Sequence, residues 1–180
     1  MAVISEKRVL IPDGVSVDIE NGKVRVSGKN GEIIRELAYP GIKISREEKE
    51  VVVTSEGDRR IQKAMLGTFA SHIKNMVKGV SKGFEYRMKI VYAHFPITVK
   101  VAGNNIIIEN YLGEKIPRVV EIVGDCKVEV KGTELIITGY NIEHVGQTAS
   151  RIEKATRVKK RDARVFQDGI YLVERKEEMQ

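Results

Sequence analysis

The two halves of the sequence repeat one order of residue types, and this repetition constrains the fold more than any other feature. Gly31-Glu32 recurs as Gly113-Glu114, 82 residues later. The run VVVT at 51–54 recurs as LIIT at 135–138, and LGTFASHI at 66–73 recurs as VGQTASRI at 145–152. Agreement in order, residue type and spacing indicates an internal duplication. Whatever unit the first half forms, the second half forms again.

Each copy begins with signals typical of antiparallel strands. Apolar residues at 15, 17 and 19 alternate with polar ones, Asn21-Gly22 interrupts the run, and the alternation resumes at 24 and 26. Alternation across an Asn-Gly pair predicts a β-hairpin. Further short strands are predicted at 32–37, 42–44 and 50–54. Residues 8–13, which end near Pro12, are predicted to be an irregular lead-in.

The period then changes to that of a helix. Between Asp58 and Val80 the apolar residues are three or four positions apart, which predicts one buried helical face. Asp58 is the predicted N-cap and Gly79 the predicted stop, and the second helix is predicted to begin near Asn141.

These patterns together predict an α+β fold. We expect two tandem copies of a small antiparallel β-sheet covered by one α-helix, followed by a basic C-terminal tail. The predicted boundaries are 1–82 for the first repeat, 83–157 for the second, and 158–180 for an extension packed on the second repeat.

Gly67 and Gly146 occupy the same place in the two predicted helices. A glycine inside a helix costs about 1 kcal/mol relative to alanine. Close packing of each helix on its sheet is the favoured explanation, and close approach of a phosphate to the helix backbone is the alternative.

The positive charge of the chain is concentrated in one segment. The whole sequence carries a net charge of +6, and the fourteen residues from Arg151 to Arg164 hold seven cations and two anions. Such an excess favours a polyanionic partner, with nucleic acid first. The cations are Arg151, Lys154, Arg157, Lys159, Lys160, Arg161 and Arg164.

The surrounding residue types suggest that this segment is anchored rather than a solvated tail. Apolar residues are interleaved with its cations and follow them as far as Val173. Phe166 and Tyr171 are candidates for stacking on bases, although packing against the domain is the commoner fate of such rings.

Motifs for enzyme chemistry are missing from the sequence. His72, His94 and His144 have no metal-ligand spacing, and Cys126 has no histidine nearby in sequence. We therefore expect no catalysis, no metal and no cofactor. A single cysteine, no apparent signal peptide and no run of about 20 apolar residues predict a cytoplasmic protein without a membrane partner.

Residues 158–172, VKKRDARVFQDGIYL, resemble the C-terminal signature of a known family, that of the sixth protein of the large ribosomal subunit, in its archaeal and eukaryotic branch. Lys154 stands where that pattern usually has glutamine. The segment NMVKGVSKGF at 75–84 and Val145-Gly146-Gln147 are also similar to the family. The bacterial form of the tail is absent, which favours an archaeal source.

The resemblance implies a structural constituent of the large ribosomal subunit that binds large-subunit rRNA mainly through its C-terminal domain and tail. The rRNA-binding residues would be the seven cations with Phe166 and Tyr171. The family's position is the stalk base, near the subunit interface and the translation-factor docking region, beside other stalk-base ribosomal proteins. No small-molecule substrate and no stable homo-oligomer are expected. The alternative hypothesis is a protein-interaction adaptor whose basic tail meets an acidic partner.

Overall fold

A computed structural model describes residues 5–177 of the chain, so residues 178–180 of the predicted extension lie outside the described residues. The chain divides into two compact units between Lys82 and Gly83. Each unit has its own hydrophobic core.

The first unit consists of six strands and one long helix. The strands are β1 (Ser5–Leu10), β2 (Ser16–Glu20), β3 (Lys23–Gly28), β4 (Gly31–Glu36), β5 (Ile42–Glu47) and β6 (Glu50–Ser55), and the helix is α1 (Arg60–Ser81). They form two antiparallel sheets, ordered β2-β3-β4 and β1-β6-β5. Alternate valines of β3 and β6 pack with one face of α1 in a core that includes Val24, Val53 and Ile73.

Three local predictions for this unit are wrong. Residues 8–10 belong to β1, which pairs with β6 and places Val9 opposite Val51. Val9 is the only buried residue of that strand, so its sequence shows no alternation. Asp58 does not cap α1, since Arg59 occupies the N-cap position, and the Asp58 carboxylate pairs with the Lys63 ammonium. The helix also continues past Gly79 to Ser81, and Gly83 takes the left-handed conformation, with φ of +75°, beyond its end.

The second unit repeats this plan and adds one strand. Its elements are β7 (Phe84–Val91), β8 (Thr98–Ala102), β9 (Asn105–Glu109), a 3-10 turn (Tyr111–Gly113), β10 (Arg118–Glu121), β11 (Lys127–Lys131), β12 (Glu134–Gly139), α2 (Ile142–Ala155) and β13 (Gly169–Lys176). The sheets are ordered β8-β9-β10 and β11-β12-β7-β13. Helix α2 begins as predicted, because the Asn141 side chain accepts a hydrogen bond of 3.0 Å from the Glu143 amide.

Equivalent hydrogen bonds show that the duplication holds at the level of single atoms. The Ile11 amide donates to the Lys49 carbonyl at 2.8 Å, and the Ile90 amide donates to the Thr133 carbonyl at the same distance. A Glu-Arg side-chain bond two residues apart also recurs, between Glu6 and Arg8 in β1 and between Glu85 and Arg87 in β7. The predicted α+β class and internal duplication are confirmed, with the strands of each unit divided between two sheets.

The two helix glycines are not required by packing within the chain. A methyl group added at Gly67 would lie 3.4 Å from Lys7 Nζ, and one at Gly146 would lie 3.9 Å from the Tyr86 ring. Both are ordinary contact distances, so the expectation that close helix–sheet packing demands glycine is wrong.

Candidate nucleic-acid interface

The basic segment comprises the end of α2 and part of a loop that is fixed at both ends. This loop leaves the end of α2 at Ala155 and returns to the sheet as β13, which pairs antiparallel with the free edge of β7 from Gly169 opposite Val91 to Lys176 opposite Glu85. Within residues 5–177, the first unit contains no strand equivalent to β13, and β1 pairs only with β6. The added strand therefore gives the second unit its anchored basic loop.

Thr156 joins the two ends of this loop. The residue is 2% exposed, and its hydroxyl donates to the Ile152 carbonyl of α2 while accepting from the Ile170 amide of β13 at 3.0 Å. Its carbonyl accepts a 2.6 Å hydrogen bond from the hydroxyl of Tyr111. Burial raises the pKa of Tyr111, so this hydroxyl keeps its proton and remains a donor.

Arg118 supports the same junction from β10. Its guanidinium lies 4.2 Å from the centroid of the Tyr111 ring, pairs with Glu114, and donates to the Ala155 carbonyl at the end of α2. A cation at that position also stabilises α2, because the carbonyl end of a helix carries a partial negative charge.

Asp168 anchors the far end of the loop. The side chain is fully buried and accepts hydrogen bonds from the backbone amides of Ala93 and His94, at 3.1 and 3.2 Å, and from His94 Nδ1 at 2.9 Å. Burial alone would raise the pKa of Asp168, but these hydrogen bonds together lower it below its ordinary value. The buried carboxylate is thus charged and paired.

Phe166 packs within the protein. Its ring stacks on the His94 ring, with centroids 4.5 Å apart and an interplanar angle of 21°, and the Arg161 guanidinium lies 4.8 Å from its centroid. The same histidine that binds Asp168 therefore also orients Phe166 and, through it, Arg161.

A tight turn shapes the loop between these anchors. The Asp162 carboxylate accepts from the Arg164 amide at 2.9 Å and pairs with the Arg164 guanidinium, while the Asp162 carbonyl accepts from the amides of Val165 and Phe166. The bond from the Arg164 side chain lowers the pKa of Asp162. Lys160, next to this turn, has a left-handed φ of +59°.

Six of the seven predicted cations are exposed, and Arg151 is partly covered because it pairs with Glu121 at 3.4 Å. In the part of the chain that the structure describes, Lys154, Arg157, Lys159 and Lys160 form no ion pair. Tyr171 is 45% exposed, and its hydroxyl donates to the Gln167 carbonyl at 3.0 Å. The candidate interface therefore consists of an anchored backbone from which lysine and arginine side chains extend into solvent.

Sequence reasoning did not find the residues that hold this loop. His94, Tyr111 and Arg118 lie between 37 and 74 residues before the groups that they bind, and no local pattern links them to the loop. The Asp168-Gly169 pair has a clear role. A methyl group at Gly169 would lie 3.0 Å from the Tyr171 ring, so a side chain there would displace that ring.

Other chemistry has little support in the described residues. No group of His, Cys, Asp and Glu in residues 5–177 is arranged to hold a metal ion. Burial raises the pKa of the Cys126 thiol to about 11, which disfavours the reactive thiolate. Among the described helices, none has the length and apolar character needed to cross a bilayer.

Comparison with known proteins identifies the family. The model of the family described as Ribosomal protein L6 matches the chain twice, at residues 11–83 and 95–169. The chain belongs to the ribosomal protein L6 family. The resemblance carried by the tail motif is confirmed, and the two matches correspond to the two copies of the duplicated unit. As a member of this family the protein is a structural constituent of the large ribosomal subunit, works in the cytoplasm as part of the ribosome, and is not an enzyme.

Curated relatives cover almost the whole chain. The chain is 52% identical to the large ribosomal subunit protein uL6 of Methanosarcina mazei over an alignment of 169 residues, which covers 94% of this chain and 96% of the relative. The protein of the same name from Methanothrix thermoacetophila is 54% identical over 170 residues, spanning 94% and 97%. That of Methanobrevibacter smithii is 51% identical over 173 residues, spanning 96% and 97%. These relatives are archaeal, in agreement with the form of the tail.

Proposed function

We propose that this protein binds large-subunit rRNA through residues 151–171, which comprise the end of α2, the basic loop and the start of β13, and sits at the stalk base near the subunit interface and the translation-factor docking region. Its other partners are neighbouring stalk-base ribosomal proteins. The observation that carries the proposal is the anchored loop, in which exposed cations extend from a backbone held by Thr156 and Asp168.

The mechanism is electrostatic and architectural. Cations that neutralise phosphates release condensed counterions, which makes the affinity depend on salt. A loop held in place before binding loses less conformational entropy when RNA docks. Arg161 can grip phosphate oxygens with two donors, and Arg164 can offer the N–H groups that do not bind Asp162. Lys159 and Lys160 act as point charges.

The two aromatic residues have different roles in this proposal. Phe166 is engaged by His94 and Arg161, so it contributes by positioning the Arg161 guanidinium. Tyr171 is exposed over nearly half of its surface, so it can present a ring face to a base.

The test replaces Lys159, Lys160, Arg161 and Arg164 with alanine in the full chain. Each lost phosphate contact flattens the log-log salt slope by roughly 0.7–0.9, so the quadruple variant should lose about 3 from the slope and on the order of a hundredfold in rRNA affinity near 0.1 M salt. Filter binding across a salt series measures both quantities.

The matched control changes four exposed lysines outside the loop, Lys23, Lys49, Lys127 and Lys131, to alanine. It removes the same charge and should change the slope much less. Equal effects of the two variants would show that rRNA binding depends on the net charge of the protein and not on the basic loop. Unchanged rRNA binding, with binding to an acidic ribosomal protein lost instead, would favour the adaptor hypothesis.

A further inference from the structure

The exposed face of α1, in the first unit, has a charge composition that the fold does not require. The 22 residues of this helix include Arg60, Lys63, Lys74 and Lys78 and no aspartate or glutamate, and Lys82 follows directly. Asp58, which precedes the helix, pairs with Lys63 at its N-terminal end. The buried residues of α1 lie on the opposite side, toward the sheets. Arg60, Lys63 and Lys74 are exposed.

The duplication supplies an internal comparison for this face. In α2, at equivalent positions of the repeat, Glu143 stands in place of Ala64 and Glu153 in place of Lys74. The Glu153 carboxylate accepts a 2.9 Å hydrogen bond from the Leu172 amide of β13. One helix of the pair therefore folds with acids where the other has a cation or a small residue. Packing against the sheet does not explain the cations of α1.

The cations of α1 form two groups, and the helix residues between them on the same face have small side chains. Lys63 and Lys74 are eleven positions apart, which is about 16 Å along a helix at a rise of 1.5 Å per residue. Ala64, Gly67 and Ser71 lie between the groups on the same side of the helix. A helix glycine costs about 1 kcal/mol relative to alanine. The Lys7 ammonium lies 3.4 Å from the position that a methyl group at Gly67 would take, so Lys7 from β1 adds a cation to the middle of this face.

We infer that this face of α1 is a second RNA-docking surface, which takes a double-stranded segment. A-form RNA has a wide, shallow minor groove, recognised by shape and through phosphates and 2′-hydroxyls. Cations at the two ends of the face match the two flanking rows of phosphates. The small residues between them allow the groove to approach the helix, and the Ser71 hydroxyl is available for a 2′-hydroxyl.

This surface lies outside the basic loop, so it can be tested apart from the proposed function. The test changes Arg60, Lys63 and Lys74 to glutamine in the full chain that already carries the quadruple alanine change in the loop. The probe is a plain RNA duplex of about two helical turns. Removal of three phosphate contacts should flatten the remaining salt slope by about 2 and weaken binding ten- to a hundredfold near 0.1 M salt.

The control changes Lys23, Lys49 and Lys127 to glutamine in the same background, with an equal change of charge. Equal effects of the two triple variants on duplex binding would overturn the inference. The inference would also be overturned if the protein bound polyglutamate through α1 as tightly as it binds the RNA duplex. If the loop variant alone leaves rRNA binding unchanged, the proposed function fails while this inference stands.

A second measurement reports the contact directly. A photoreactive group is attached to Ser71→Cys, and to Lys49→Cys as a control, in protein assembled into large subunits. The native Cys126 labels slowly, because the chain half-buries it and its thiol pKa is raised to about 11. Crosslinking of position 71 to double-stranded rRNA, with much less at position 49, is the expected result. Crosslinks from position 71 to protein alone would contradict the inference.

Discussion

Asp168 is the residue on which the geometry of the basic loop depends most. Its carboxylate is buried and satisfied by three donors from the segment after β7, one of which is the His94 ring that stacks on Phe166. Loss of this acceptor would release the loop without removing any of its cations.

We predict that Asp168→Asn destabilises the second unit by about 3 kcal/mol, because hydrogen bonds to a charged group contribute roughly 1.5–3 kcal/mol each and the substitution removes the charge. The asparagine carbonyl oxygen can still accept from the two backbone amides, but the new NH2 group replaces the oxygen that contacts His94 Nδ1. Denaturant unfolding measures the change. Asp162→Asn is the control, since it makes the same substitution at an exposed carboxylate of the loop and should have little effect. Similar losses in the two variants would contradict the anchoring role.

The pH dependence of stability follows from the lowered pKa of Asp168. A carboxylate whose pKa is lower in the folded state contributes its full stabilisation above its unfolded pKa of about 3.9, and this contribution is lost as the pH falls through the folded value. The wild-type second unit should therefore lose stability below about pH 4 more steeply than Asp168→Asn.

At the level of elements, β13 converts a free sheet edge into the support of the loop. Thr156→Val keeps the shape of that side chain but removes the acceptor of the buried Ile170 amide, which should cost about 1–3 kcal/mol. We expect faster hydrogen exchange at Ile170 and weaker rRNA binding. Both effects arise because the loop loses its junction with α2.

Thr148→Val provides a matched comparison, since the Thr148 hydroxyl is equally buried and accepts from the Val123 amide at 3.1 Å. It should cost a similar amount of stability and leave Ile170 exchange and rRNA affinity near wild type. If it weakens rRNA binding as strongly as Thr156→Val, the effect on binding comes from stability alone.

Local patterns in the sequence predict those elements whose buried residues are periodic. The β2–β3 hairpin and both helices were predicted because Val17, Val24 and the apolar stripe of α1 repeat at the period of their element. Strand β1 was missed because Val9 alone is buried. The exposed cations of the loop needed only composition. Its anchors were missed because folding brings His94 to Asp168 across 74 residues, and a sequence pattern carries no record of that contact.

For the whole molecule, the duplication produces two units with the same arrangement of strands and helix, each with its own hydrophobic core. Each unit also has a feature that the other lacks. The second unit gains β13 and the anchored loop, and the first retains the cationic face of α1. The buried isoleucines Ile73 and Ile152 occupy the same place in the two repeats, and both are fully buried.

Because each isoleucine belongs to a separate core, we expect Ile73→Ala and Ile152→Ala each to destabilise one unit. Truncation of a buried isoleucine costs about 2–5 kcal/mol. Hydrogen exchange resolved along the chain should show loss of protection in residues 5–82 for Ile73→Ala and in residues 83–177 for Ile152→Ala. Loss of protection in both units from either change would show that the chain unfolds as one cooperative body.

With separate cores, mild destabilisation by Ile152→Ala should weaken binding by the loop, whereas Ile73→Ala should weaken only duplex docking on α1.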